Sequence, residues 1–164
     1  MKRLPYLLFA VLFFCSCEKP DTNYSIVGEW NLYSSVLKEL VIDTAASAEE
    51  TTAIRDIITG FHAREDSTIS VDIVLTSDNR YLQDGKEIGT YDFQNSTFTI
   101  FFNIDGIEGK SVYDSVFLNK SHHSYIVDRT LFFKSLSLID SEVPDSLNFE
   151  LVQKVRTKYS FKRK

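Results

Sequence analysis

An all-β, antiparallel domain is the fold class this chain predicts, and three observations predict it. Apolar residues recur with period two in several runs beyond residue 26, the mark of strands with one buried face. Turn sequences such as Asp84-Gly85, Gln94-Asn95-Ser96 and Asp105-Gly106 punctuate those runs at short intervals. The runs between them are too short and too numerous for anything but hairpins, so the sheet must hide its edges as a closed barrel or a sandwich.

Taken in order, the first strand is expected over Glu29 to Val36. Ile69, Val71, Ile73 and Leu75 alternate with Thr68, Ser70, Asp72 and Val74 in a second. Shorter strands follow at Arg80 to Gln83 and Glu87 to Phe93. The clearest alternation places Phe98, Ile100, Phe102 and Ile104 on one face and Thr97, Thr99, Phe101 and Asn103 on the other. Further strands are expected at Ser111 to Leu118, Ser124 to Asp128, Leu131 to Ile139, Asn148 to Gln153 and Lys158 to Arg163.

One segment has a different period. Ser47-Ala-Glu-Glu50 forms a capping box, and Ile54, Ile57, Ile58 and Phe61 then fall at i, i+3, i+4 and i+7, giving a helix that ends near Gly60 to Ala63. Its stripe must lie against something apolar, the side or open end of a barrel, or else close over a pocket as a lid. Amphipathic helices usually complete a core, which favours packing.

The first 17 residues read as an address. Lys2 and Arg3 precede an apolar run from Leu4 to Phe14, and small Ser16 precedes Cys17. This resembles the lipobox leader of bacterial lipoproteins, although Phe14 stands where that pattern prefers Leu and Cys15 is unusual. The resemblance implies that residues 1–16 are a signal peptide cleaved before Cys17, and that Cys17 is lipidated and its new N-terminus acylated. It places the protein in the bacterial cell envelope, lipid-anchored at the outer membrane. An apolar run of about eleven residues makes only about 16 Å of helix, short of the roughly 30 Å a hydrocarbon core requires. Residues 17–25, polar and containing Pro20, suit a tether, and the domain is expected over 26–164. Both cysteines lie in the leader region, so the domain itself has none for disulfides, thiol catalysis or metal ligation. Removing Lys2 and Arg3 leaves 16 basic against 23 acidic residues and moves the net charge from -5 to -7. Such an acidic chain argues against nucleic acid as a partner. The basic residues from Lys154 to Lys164 interleave with apolar ones at strand spacing, as the solvated face of a last strand does.

Val27-Gly28-Glu29-Trp30-Asn31-Leu32 resembles the G-x-W opening of lipocalins and of the lipocalin-like lipoproteins common in Bacteroidetes. Val74 to Tyr81 followed by Ile88-Gly89-Thr90-Tyr91-Asp92, and the closing Tyr159-Ser160-Phe161-Lys162-Arg163, are similar to strands of the same group. The resemblance implies an up-and-down lipocalin-like (calycin-like) barrel, departing from the group in the helix inserted after the first strand. It also implies that Trp30 plugs the closed end beneath a basic residue of the last strand, either Arg156 or Arg163.

Reaction chemistry is absent from the motifs. The three histidines are His62 and the pair His122-His123, whose members point to opposite sides of an extended chain and so chelate poorly. No strained G-x-S-x-G setting and no glycine-rich phosphate loop occurs, so neither an enzyme, a metal nor a cofactor is expected. Two readings remain. In the first, the barrel holds a small apolar ligand or glycan fragment against Leu32, Ile73, Phe98, Phe102 and Val116. In the second, the barrel is filled and the protein is an interaction or structural module for another envelope protein, the 13 Phe tilting toward a filled interior. Phe101, Tyr113 and Phe117 are then candidates for an outward patch.

Overall fold

The computed structural model describes residues 24–104, 106–136, 143–144 and 146–164. Nine antiparallel strands form one curled sheet: β1 Gly28–Ile42, β2 Val71–Leu75, β3 Arg80–Gln83, β4 Lys86–Gln94, β5 Thr97–Ile104, β6 Ile107–Tyr113, β7 Phe117–Leu118, β8 His122–Asp128 and β9 Val152–Arg163. Their order in the sheet is β6-β5-β4-β3-β2-β1-β9-β8-β7. Every strand therefore pairs with its sequence neighbour, and β1 with β9, except at the single break between β6 and β7. That is an up-and-down sheet curled toward closure, with its break bridged by the stacked rings of Tyr113 and Tyr125, 4.4 Å apart. The hairpins turn where the sequence places them. Asp84-Gly85 joins β3 to β4 and Asn95-Ser96 joins β4 to β5, all four residues at positive φ, the two-residue turn whose twist matches that of the strands.

Helix α1, Ala48–Thr68, begins at the expected cap, where Ser47 Oγ accepts from the Glu50 amide at 3.1 Å. It runs past the expected end near Gly60 to Ala63, because Ile54, Ile58 and His62 continue one buried stripe down to Glu65. Ile69 consequently caps the helix and is not the first residue of β2. The helix packs as a layer. Beyond Leu32, β1 leaves β2 and pairs only with β9, which β8 still flanks as far as Arg156, and the inner face of this part of the sheet is covered by α1 and by α2, Thr130–Lys134. Ile54, Ile58, Phe133, Leu136, Phe149, Val152 and Val155 form this second core.

Three expected strands differ. Leu131 to Ile139 is not a strand where described: Thr130–Lys134 is helical, started by Asp128, whose carboxylate accepts from the Thr130 amide and hydroxyl. Phe133 and Leu136, three residues apart, are then both buried, which alternation would not allow; 137–139 lie outside the described residues. Asn148 to Gln153 opens with a 3-10 turn, Phe149–Leu151, and its last two residues begin β9, which runs unbroken to Arg163. Ser111 to Leu118 is interrupted at Asp114 to Val116, where Ser115 has φ of 59° and buried Val116 donates to the Ser96 carbonyl.

Candidate functional site

The expected ligand-lining residues mostly converge on one place. Leu32, Ile73, Phe98 and Val116 lie inside the curled sheet, in a single cluster of twelve buried residues with Trp30, Leu75, Tyr81, Tyr91, Ile100, Tyr125, Phe161 and Ile26. Phe98 is near the middle of that cluster, with the rings of Tyr91, Tyr113 and Tyr125 within 6.3 Å of its own. Phe102 differs. It is half-buried, and its ring lies across Gly109 on β6, filling the space a β-carbon there would need. It lines an open groove of about 380 Å³ with Gly89, Thr90, Phe101, Asn103, Glu108 and Gly109. Cys17 lies outside the described residues.

One end of the interior is plugged by a stack of rings. Trp30, fully buried, donates from Nε1 to the Ile26 carbonyl at 2.8 Å. The Arg163 guanidinium lies 4.6 Å from the Trp30 ring, while Arg156 is on the outer face near Glu39. Arg163 Nη2 donates to the carbonyls of Ser25 and Val27, fastening the entry of the chain to its last strand. The histidine pair divides as extended backbone requires: His122 faces outward beside Tyr33, and His123 faces inward, parallel to Phe161 at 4.2 Å and edge-on to Trp30. Burial and, secondarily, Arg163 push the pKa of His123 down to about 3, so this ring is neutral and serves as part of the plug.

A part-buried polar network that no spacing in the sequence announces lies elsewhere. Between the two cores, Arg129 Nη1 donates to both oxygens of Glu65 at 2.8 and 2.9 Å and to the Tyr159 hydroxyl at 3.0 Å. Ser35 Oγ donates to Glu65 Oε2 at 2.6 Å, and His62 Nδ1 approaches the same oxygen at 3.6 Å. The guanidinium also covers the Phe132 ring at 4.3 Å. The neighbouring Asp66 caps the β1 irregularity, accepting from the Ser35 amide and the Ser34 hydroxyl. With the helix expected to stop near residue 63, Glu65 fell in a loop, and Arg129 in a turn. The available signal was the stripe Ile54, Ile58, His62, which carries the helix on to Glu65.

Burial acts to raise the Glu65 pKa, but His62, Ser35 and Arg129 together outweigh it and bring it down to about 2. Burial pushes the Tyr159 hydroxyl up to about 12. Every oxygen of Glu65 is thus engaged by the protein, which makes the group a clamp between helix and sheet and leaves no lone pair directed at a substrate. Its carboxylate, ionised in the folded state well below its unfolded value of 4.5, contributes stability that is fully present above pH 4.5 and lost as pH falls toward 2. Glu65→Gln should therefore flatten acid denaturation between those values, by about 2 to 3 kcal/mol, measured by urea unfolding at stepped pH. An unchanged pH slope would show that the clamp is not what titrates.

No protein-family model matches the chain, and neither does any curated protein or solved structure. Among the described residues no three His, Cys, Asp or Glu side chains group as metal ligands, and no helix is long and apolar enough to cross a membrane.

Proposed function

We propose that this chain is a lipid-anchored, non-catalytic module of the bacterial cell envelope, whose filled lipocalin-like barrel serves as a scaffold for contacts made on its outer surface. The observation that carries the reading is the interior. Twelve buried side chains, six of them the aromatic rings of Trp30, Tyr81, Tyr91, Phe98, Tyr125 and Phe161, form one continuous cluster where a ligand-carrying barrel keeps space. The outer surface, in contrast, exposes Phe101, Ile107, Val112 and Phe117 around the β5, β6 and β7 edge.

Anchoring through acylated Cys17 supports the envelope assignment, since several acyl chains on one residue give stable attachment, about 0.8 kcal/mol per buried methylene. Cys17→Ser is expected to move the protein from the membrane fraction to the soluble exported fraction. Intact-mass measurement of native protein should show a chain beginning at Cys17 and carrying acyl groups; an unmodified N-terminus elsewhere would overturn the assignment.

A further inference from the structure

The acidic chain carries six of its 18 Lys and Arg residues in its last eleven positions, and β9 sorts them by face. Val155, Thr157, Tyr159 and Phe161 point inward, so Lys154, Arg156, Lys158 and Lys162 all point outward. The register of the neighbouring strands says what surrounds them. Lys158 lies between Val36 of β1 and Ile126 of β8, both exposed; Lys154 lies beside exposed Val41; Lys162 lies between Asn31 and His122, with Tyr33 packed edge-on against that histidine. Acids flank the Arg156 row, at Glu39 and Asp128, and stand at the far end of the face, where exposed Glu29 precedes Trp30 on β1 and Asp72 of β2 extends the Lys162 row and pairs with Asn31 and Lys164. Lys154 and Arg156 both reach Glu39, whereas Lys158 and Lys162 have no ion-pair partner among the described residues.

We propose that this outward face of β1, β9 and β8 docks on an anionic lipid surface, a reading that rests on the lipid tethering proposed above. Lysines alternating with exposed aliphatic and aromatic side chains on an open sheet suit a surface of many anionic headgroups over an apolar layer: the ammonium groups meet the headgroups while their stems and Val36, Ile126 and Tyr33 approach the acyl boundary. The position of the tether agrees. Arg163, the last residue of β9, holds Ser25 and Val27, so the chain enters the fold at the end of the basic row. The eight residues Glu18 to Ser25 reach at most about 28 Å, which keeps this end of the face close to the membrane. Once the protein is tethered, even a weak surface affinity is converted into a fixed orientation by the high effective concentration.

Residues 24–164 contain both cores and all nine strands, so a chain beginning at Glu18 keeps the fold while lacking leader and acyl groups. That chain should co-sediment with phosphatidylcholine vesicles containing phosphatidylglycerol, far less with phosphatidylcholine alone, and should be released by salt. The double variant Lys158→Glu/Lys162→Glu should lose about tenfold or more in partitioning. The control Lys86→Glu/Lys110→Glu changes net charge equally on β4 and β6 and should lose little. No preference for the anionic vesicles, or equal loss in both double variants, would overturn the docking face. Because no acyl group is present in this experiment, its failure is separate from failure of the anchor, which the intact mass decides.

Discussion

Phe98→Ala is expected to destabilise the protein by about 3 to 5 kcal/mol, the cost of losing a fully buried ring together with the cavity left behind. Phe98 is 2% exposed and is surrounded by Tyr91, Tyr113 and Tyr125, three rings that cannot collapse into the vacated volume without leaving their own contacts. Phe102→Ala, four residues along the same strand, should cost clearly less, about 1 to 2 kcal/mol, since that ring is half-buried and borders an open groove. Urea unfolding of both variants gives the comparison. A filled interior further requires that apolar ligands leave the melting temperature of the unmodified protein unchanged. A stabilising shift with lipid or haem, about 2.7 kcal/mol at a hundredfold excess over the dissociation constant, together with a small Phe98→Ala cost, would restore the enclosed-ligand reading.

Removing Arg129 should be comparably damaging for a different reason. Its side chain is 13% exposed and holds Glu65, itself 20% exposed, so Arg129→Met leaves a desolvated carboxylate without its counter-ion and deprives the Phe132 face of its cation. The expected loss is about 3 kcal/mol. Adding Glu65→Gln to Arg129→Met should return much of it, because the uncompensated charge is then gone. If the double variant is as unstable as the sum of the two single ones, Arg129 contributes by packing on Phe61, Phe132 and Phe133 and not by pairing with Glu65.

The parts of the fold that were legible in the sequence are those whose local and tertiary demands agree. Thr97 to Asn103 alternates because Phe98 and Ile100 face the core, and Asp84-Gly85 turns because glycine and aspartate accept positive φ; neither needs a distant partner to be read. In the described part of Leu131 to Ile139, Phe-Phe favours a strand locally, but Asp128 bonds Thr130 and starts a helix, and the second core takes both Phe133 and Leu136. The alternation from Lys154 to Lys164 is legible as the face of a last strand, but the expected strands Asn148 to Gln153 and Lys158 to Arg163 prove to be a 3-10 turn followed by one continuous β9, because pairing with β1 from Val152 to Arg163 holds the whole run extended. The Glu65 clamp joins residues from positions 35, 62, 65, 129 and 159, and no spacing rule links them. Of the arginines left open for the Trp30 plug, Arg163 has the position because it is the inward-facing residue opposite Trp30 in the β1 to β9 register, and Arg156 falls on the opposite face.

The pairing of β1 with β9 has a consequence for how the molecule is made. A chain synthesised from its N-terminus presents β1 first and must wait for more than a hundred residues before the partner of that strand exists. Both cores share this dependence, since Val152 and Val155 complete one and Phe161 the other. Nascent protein therefore stays loose until β9 has emerged, and closes only afterwards, through contacts of high sequence separation that form slowly. A chain that stops before β9 cannot conceal either apolar layer and remains open to proteases, so folding itself inspects whether β9 has been made.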